Sequence, residues 1–561
     1  MSSLDQSPNQ SSIASSGEVA KLINALPSAG RSELRKASNI LLVLMAATSA
    51  ILVPSRMLFS SGAPNDSSIF AYIGWAMNHG LMPYRDLWDH KGPLLYYLQF
   101  AGVYLHPAST FGIGLLELLA FAFAFFLLYR VIGSFASYRV SLGIAVLSLV
   151  FVAHFSEGGN LCESWALLPL AAAHYLAWRW SQRTSLQWCA PLLGVCFASI
   201  FWLRPNMVVF PSVAMLAMLY VSKKEDGIRT SSRLFIFAVA AALGLTGLVL
   251  APIYRTGAFP DFIGAYFGYN AAYSASLSVS VRLLHTRQLI IQLFAAGLAV
   301  LGTAGWALAL KARASERTKI AGIPPVYFNI LIWSLPLEVA AACLSGRDYS
   351  HYVLPLFPSL AVLAAWFLTE IENSAKERGA GSVLALILVL GFFPVSLAVY
   401  AADFSDSSAP PRDDYLQVIR FIQHTTNPND KIIVIGGAEA GYIAYRAQRL
   451  PASRYVYQYP LIDAANPAAS EQRRQFMCDL VANRPAVIIS GNPLLGVLCS
   501  SQLNCGSQNG NAPLSDYGYN STVLPKLLKT FLASEYRPFD APGFEGIHAF
   551  VRRDIVVPAS W

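Results

Sequence analysis

Apolar residues along this chain come in runs close to the length a helix needs to cross a bilayer's hydrocarbon core, about 20 residues. Short polar joints rich in Lys and Arg separate the runs. Read as membrane spans, they fall near Ser38 to Pro54, Ser109 to Val131, Val140 to His154, Leu161 to Trp178, Gln187 to Leu203 and Met207 to Val221. The series continues with Leu234 to Ile253, Leu289 to Leu310, Val326 to Leu344, Val353 to Thr369 and Val383 to Tyr400. That makes about eleven spans. Arg204-Pro205 is a weak joint between two short spans, and Gly92 to His106 reads as a partly inserted helix.

The long segment from Ser55 to Ala108 is more than a connector. Within it, Asp66 to Gly80 reads as an amphipathic helix with Ile69, Phe70, Ile73, Ala76 and Met77 on one face and Gly80 to end it. A second helix starts at Pro93, and Tyr72, Trp75, Tyr84 and Trp88 suit the headgroup layer. After about Asp403 the pattern changes. Helices at Asp413 to His424, Ala438 to Arg446 and Val523 to Ser534 alternate with strands at Lys431 to Ile435 and Ala486 to Ser490. Gly436-Gly437 follows a strand, but the fuller dinucleotide pattern is absent. The expected fold class is an α-helical polytopic membrane protein with a C-terminal α/β soluble domain. Residues 1–37 read as a disordered cytoplasmic tail, 38–402 as the membrane module and 403–561 as the soluble domain.

Composition supports this. Of 561 residues, 55% are hydrophobic and 13% charged, about half the charge of an ordinary soluble domain. The net charge of +8 does not indicate nucleic acid, because the basic residues lie between spans. With the N-terminus inside, the cytoplasmic joints hold Arg31, Arg35, Lys36, Arg130, Arg139, Arg179, Arg183, Lys223, Lys224, Arg229, Arg233, Lys311, Arg313, Arg317, Lys319, Lys376 and Arg378. This asymmetry orients the chain and places the C-terminal domain outside the cytoplasm. No apolar core precedes Ser38, so the N-terminus does not read as a cleaved signal peptide. Cys162, Cys189, Cys196 and Cys343 lie in or beside spans, whereas Cys478, Cys499 and Cys505 lie in the soluble tail. Whether Cys499 and Cys505 pair stays open.

Polar and ionisable residues concentrate in four places. These are Pro64 to Ser67, Tyr84 to Pro93, Glu157 to Asn160 with Glu163 beyond, and Gly346 to Tyr352; the assigned topology puts all of them on one side. Each has a plainer reading. Asp66 suits a helix N-cap, and Asp86, Asp89 and Lys91 suit a solvated ion-pair network. Arg204 suits a snorkelling side chain. His90 and His351 lack zinc-ligand spacing. Glu163, inside the first turn of an apolar span, is harder to explain without a partner or cavity.

The stretch G-x-x-P-Y-R-D-x-W-D-x-K-x-P from Gly80 to Pro93, after Asp66, resembles the multi-span GT-C glycosyltransferases. These include the protein O-mannosyltransferases, the aminoarabinose transferase of lipid A, and bacterial family-39-like or RgtA/B/C/D-like enzymes. E-G-G-N-x-x-E (Glu157 to Glu163), G-R-x-Y-x-H-Y-x-L-P (Gly346 to Pro355) and R-L-P-A-S-R-Y within Tyr442 to Tyr455 are similar to the bacterial members. The resemblance implies the GT-C fold and inverting transfer of a sugar from a polyprenyl phosphate to a glycan, lipid or protein. It implies Asp66 as catalytic base. The mannosyltransferases carry an Asp-Glu pair where this chain has Asp66-Ser67, which leaves open whether Glu157 or Glu163 assists. Arg347 and His351, with Lys91 and Arg204 behind them, are the candidates to hold the departing phosphate. Tyr84, Asp86, Trp88, Asp89, His90, Asn160, Tyr349 and Tyr352 would line the cavity. No metal is required, although a divalent ion is compatible. The aromatic loop from Tyr254 to Arg287 either closes over a sugar or anchors at the interface. A flippase, an oligosaccharide polymerase or ligase, and a catalytically dead scaffold are the alternatives.

Overall fold

Helix ends in this chain are set by local signals, and the helices between them carry the apolar runs. The computed structural model describes residues 65–107, 109–182, 186–314, 323–376, 391, 413–462, 466–490, 531–539, 544 and 547–558. The expected first and last spans, the N-terminal tail, Cys499, Cys505 and most of the expected helix Val523 to Ser534 lie outside these residues. The first elements are α1 (Asp66–Met77), α2 (Pro93–Leu105), α3 (Phe111–Ile132), α4 (Tyr138–Phe155), α5 (Cys162–Gln182) and α6 (Cys189–Phe201). They are followed by α7 (Val209–Glu225), α8 (Ile228–Arg255), α9 (Val279–Ala295), α10 (Gly297–Ala314), α11 (Pro325–Ala342) and α12 (Phe357–Lys376). Proline in the first turn opens α2 and α11, where its missing N–H costs nothing. The Ser137 hydroxyl caps α4 by accepting from the Val140 N–H.

Among the described residues, five helices are long and apolar enough to cross a membrane, or six if the bent pair α9–α10 is one span. Helix α8 leaves Phe235, Ile236, Leu243 and Leu248 exposed, an apolar surface that calls for lipid. The protein is therefore an integral membrane protein. Two expectations need correction. The span expected at Leu289 to Leu310 is two helices meeting at 98°, because Ala296 between them is extended. The loop expected from Tyr254 to Arg287 is largely helical, with Phe259–Phe262, a π-helical Ile263–Tyr269, Asn270–Ala275 and the start of α9. Its aromatic residues Phe262 and Tyr266 pack inward against Trp202, which gives the segment a core of its own.

Helix α1 also departs from expectation. Its residues from Ser67 to Ala76 are all buried, so it is covered on every side instead of presenting one polar face. Tyr72, Trp75, Tyr84 and Trp88 are likewise buried and do not face a headgroup layer. Aromatic residues with a polar tip suit protein interfaces and membrane interfaces equally.

The cover over α1 is the C-terminal domain, built from α13 (Asp413–Thr425), β1 (Ile432–Ile435), α14 (Ala438–Ala447), α15 (Ala469–Asn483), β2 (Val487–Ser490), β3 (Tyr536–Phe539) and β4 (His548–Arg552). The sheet order is β1-β2-β4-β3, with β1 and β2 parallel and the other pairs antiparallel. The parallel pair needs a crossover, which α14 and α15 supply. The Gly436 and Gly437 N–H groups donate to the Gln458 and Glu439 side chains at 2.7 and 2.9 Å, so they are occupied by the protein itself.

Helix α14 meets α1 through Gly441, where a Cβ would lie 2.7 Å from the Ile69 Cα. Nearby, the Tyr72 hydroxyl donates to the Arg449 carbonyl at 2.9 Å. Gly441→Val is expected to weaken this contact by about 1–3 kcal/mol through overpacking. Hydrogen exchange should then quicken in α1 and α14 while β2 keeps its protection. Unchanged exchange in both helices would show that the interface does not depend on this close approach.

Candidate functional site

The turn between α4 and α5 is strained. Glu157, Gly158, Gly159 and Asn160 all have left-handed backbones, with φ of 50°, 85°, 87° and 60°. Gly adopts this region freely and Asn readily, but Glu does so only where surroundings enforce it, and such residues gather at functional sites. Here the enforcement comes from buried Asn160. Its N–H donates to the Glu117 carboxylate of α3, and its side-chain amide pairs reciprocally with that of Gln99 on α2 at 2.6 and 3.0 Å. The same amide accepts from the Trp165 indole at 2.9 Å and donates to the Ser67 carbonyl of α1 at 3.3 Å. Asn160 thus pins four helices and does not line an open cavity. Sequence reasoning missed Glu117 and Gln99. A lone carboxylate inside an apolar span was the available signal for Glu117.

The pinned turn presents Glu157. Its carbonyl accepts from the Asn65 amide at 3.2 Å, and its carboxylate accepts from the Ser350 hydroxyl and from His351 Nδ1, the latter at 3.1 Å. Burial alone would push the Glu157 carboxyl up, but His351 and Ser350 outweigh it and hold it at about 2. Asn65 is also the N-cap of α1, accepting from the Ser67 N–H, so the N-cap role considered for Asp66 belongs to its neighbour. Asp66 is left with a carboxylate 55% exposed, and Lys91 Nζ lies 3.9 Å away. Burial works against the Lys91 ammonium, yet Asp66 and Asp89 outweigh it and keep its pKa above the ordinary lysine value.

Glu163 is buried in the first turn of α5 and bonded to Arg204. The Arg204 guanidinium also lies 3.9 Å over the Tyr352 ring, so it is clamped in place and does not snorkel. Arg347 sits 4.5 Å over the Tyr273 ring, with its Nε buried and without a hydrogen-bond partner. Tyr349 remains 48% exposed and stacks on His351. Asp66–Lys91, Asn65–Glu157, Glu157–His351 and Arg204–Tyr352 therefore join the four polar stretches into one site.

The loop from Tyr84 to Lys91 is fixed internally and from above. Tyr84 has φ 70°, and its hydroxyl donates to the Lys91 carbonyl at 2.8 Å. Asp86 is occupied with the Met82 N–H and Arg85, which makes it part of the turn. Buried Asp89 accepts from the Tyr96 and Tyr457 hydroxyls at 2.7 Å each. Burial raises the Asp89 carboxyl, but His90 and Lys91 hold it well below the usual range. The Trp88 N–H donates to the Arg454 carbonyl at 2.7 Å, and its ring packs edge-on against Tyr269. Arg454 reaches Asp261 at 2.9 Å and the Tyr84 carbonyl. These contacts from the C-terminal domain were not foreseen. Among the described residues, no group of three or more His, Cys, Asp or Glu is placed to hold a metal ion.

Two outcomes follow. Glu163→Gln leaves Arg204 without its buried counter-charge, and should cost about 3–5 kcal/mol, read as a lowered unfolding temperature in detergent. An unchanged temperature would mean the pair is not a structural tie. The depressed Glu157 carboxyl stabilises the fold above its unfolded value near 4.5 and ceases to do so as pH falls toward about 2. The stability gap between wild type and Glu157→Gln should therefore be full at neutral pH and close across that window; a gap independent of pH would contradict the pairing.

Sequence comparison with curated proteins gives no match. Among solved structures, ArnT from Cupriavidus metallidurans in the apo state is similar at 12% identity and a TM-score of 0.57, covering 83% of this chain and 95% of that one. The same protein bound to undecaprenyl phosphate gives 11% identity and 0.55 over 83% and 95%. The oligosaccharyltransferase AglB from Archaeoglobus fulgidus, in complex with an inhibitory peptide and a dolichol-phosphate, gives 12% and 0.50 over 92% and 74%. At these identities the likeness establishes the fold, a GT-C membrane module carrying a C-terminal domain with a small sheet. Residues 29–388 match the family model described as "Putative competence-induced protein Ccs4 N-terminal domain", and since this is more than half of the chain, the protein belongs to that family.

Proposed function

We propose that the protein is an inverting glycosyltransferase that moves a sugar from a polyprenyl-phosphate donor to a hydroxyl of a glycan, lipid or protein outside the cytoplasm. The observation that carries this reading is the half-exposed Asp66 carboxylate 3.9 Å from Lys91. Of the three carboxylates proposed for catalysis, Glu157 and Glu163 are bound to His351 and Arg204, and Asp66 is the most open to an incoming hydroxyl. The structural likeness to a protein solved with undecaprenyl phosphate supports the donor class.

In the proposed step the acceptor oxygen attacks C1 of the sugar and passes its proton to Asp66. The bond from C1 to the phosphate oxygen breaks on the opposite side, so the anomeric centre inverts. Negative charge grows on the departing phosphate, and fixed cations lower the barrier by meeting it there. Lys91 and the guanidinium groups of Arg204 and Arg347 are the proposed cations. His351 contributes through Glu157, and the exposed Tyr349 ring offers a face for a sugar. No metal is needed in this scheme.

The test is transfer of radiolabelled sugar from a panel of polyprenyl-phosphate sugars in proteoliposomes, with Asp66→Asn beside the wild type. Loss of transfer by more than about 10²-fold in a folded variant is expected. Transfer that survives would remove Asp66 from the role of base. Lipid crossing the bilayer without any transfer would overturn the reading in favour of a flippase, and transfer of intact oligosaccharide would make the protein a ligase.

A further inference from the structure

The reacting groups proposed above all come from the membrane module, yet the Asp89–His90–Lys91 sequence beside Asp66 is capped by a residue of the C-terminal domain. The Tyr457 hydroxyl lies 2.7 Å from Asp89 Oδ1 and 3.2 Å from His90 Nδ1. On its other side, His90 Nε2 lies 3.0 Å from Lys91 Nζ. Donor and acceptor capacities settle the order of these bonds. The Asp89 carboxylate only accepts, so the Tyr457 O–H points to it. The Tyr457 oxygen can then only accept, as can Asp89 Oδ1, and both lie 3.2 Å from Nδ1, so His90 carries its hydrogen on Nδ1 and shares it between them. An ammonium only donates, so Nε2 is bare and accepts from Lys91. The chain runs Lys91 to His90 to Tyr457 to Asp89, and Lys91 is left aimed at Asp66 as well.

We infer that Tyr457 is a positioning residue of the site, and that the docked C-terminal domain, through this one hydroxyl, keeps His90 neutral with a bare Nε2 that holds Lys91 at Asp66. The groups around His90 are Asp89, Lys91 and Trp88 from its own loop, Asp66 from α1, and Tyr269 and Tyr273 from the segment before α9. The Asn270 amide fixes its carbonyl at 2.8 Å. His90 Nδ1 already lies 3.2 Å from Asp89 Oδ1, and the Tyr457 hydroxyl shares that oxygen at 2.7 Å; without the hydroxyl, the His90 ring is the remaining side-chain partner of that oxygen. The carboxylate then favours a doubly protonated ring, whose Nε2–H opposes the Lys91 ammonium. Position 457 is held in register by Arg454, which binds Asp261 and the Tyr84 and Trp88 backbone. Burial and Lys91 already press the His90 pKa downward, as a neutral ring requires.

The activity readout of this inference rests on the transferase reading; the chemical readout does not. The experiment compares full-length wild type, Tyr457→Phe and Tyr96→Phe in nanodiscs, using acetylation by an N-hydroxysuccinimide ester followed by mass spectrometry of Lys91. Tyr457→Phe should acetylate Lys91 about tenfold faster, because an ammonium that has lost its acceptor and gained a cationic neighbour deprotonates more readily. Tyr96→Phe removes the other phenol on Asp89 without touching His90, and should label as the wild type does. Where a donor from the panel is turned over, Tyr457→Phe should lower kcat about tenfold with KM within about threefold. His90→Ala should make the Tyr457 change silent. Equal Lys91 labelling in wild type and Tyr457→Phe, or equal effects of the two Tyr variants, would overturn the inference whatever the activity. Altered labelling without turnover from any donor would keep the inference and count against the transferase.

Discussion

A charged side chain taken out of water must find a counter-charge or hydrogen bonds, and at this site the counter-charges lie on other elements. Glu163 of α5 finds Arg204 beyond α6, and Glu157 finds His351 before α12. Asp89 finds the Tyr96 hydroxyl on α2 and the Tyr457 hydroxyl from the C-terminal domain. Breaking the Glu163–Arg204 pair leaves a buried charge uncompensated, a cost of several kcal/mol; Glu157, 37% exposed, loses less because water screens it. The pairs therefore act as ties that bring distant stretches of the chain to one place. The strained turn at Glu157 to Asn160 is affordable only because Asn160 and Glu117 hold it from four helices.

These ties divide the carboxylates by role. Three are committed to structure: Asp89 by two phenols, Glu157 by His351 and Ser350, and Glu163 by Arg204. Asp66 stands apart, with an ion-pair partner at 3.9 Å and much of its surface open. A general base needs both reach and access, and among these four Asp66 has the most access, 55% of its side chain exposed against 37% for Glu157. The C-terminal domain is part of the same construction. It buries α1, clamps the Tyr84 to Lys91 loop through Arg454, and completes the hydrogen bonding of Asp89.

Much of this was legible in the sequence. Four polar stretches interrupt an otherwise apolar pattern, and polarity in such a place is costly enough to need a reason; the structure brings all four together. The domain change after the membrane module, and β1, α14 and β2, also followed from periodicity. What was hidden has physical causes. Tyr457 and Arg454 lie far along the chain from Asp89 and Tyr84, and no local pattern reports a contact between domains. Strands β3 and β4 mix charged and apolar residues, with a proline in β3, and lack the continuous apolar runs that mark β1 and β2. The break between α9 and α10 falls at Ala296, and the one local signal for it, Gly297, is a lone glycine inside an apolar run, which a continuous helix also tolerates. The aromatic residues of α1 and the following loop were expected at lipid because the composition that suits a headgroup layer also suits a packed interface.

The most direct measurement is an electron cryo-microscopy map of the full-length protein in nanodiscs with undecaprenyl phosphate. The account predicts phosphate density about 3–4 Å from Lys91 Nζ and from a guanidinium of Arg204 or Arg347, with the Asp66 carboxylate facing the open side of the phosphate. Phosphate density at the other end of the helices, among Lys223, Lys224 and Arg233, would contradict it.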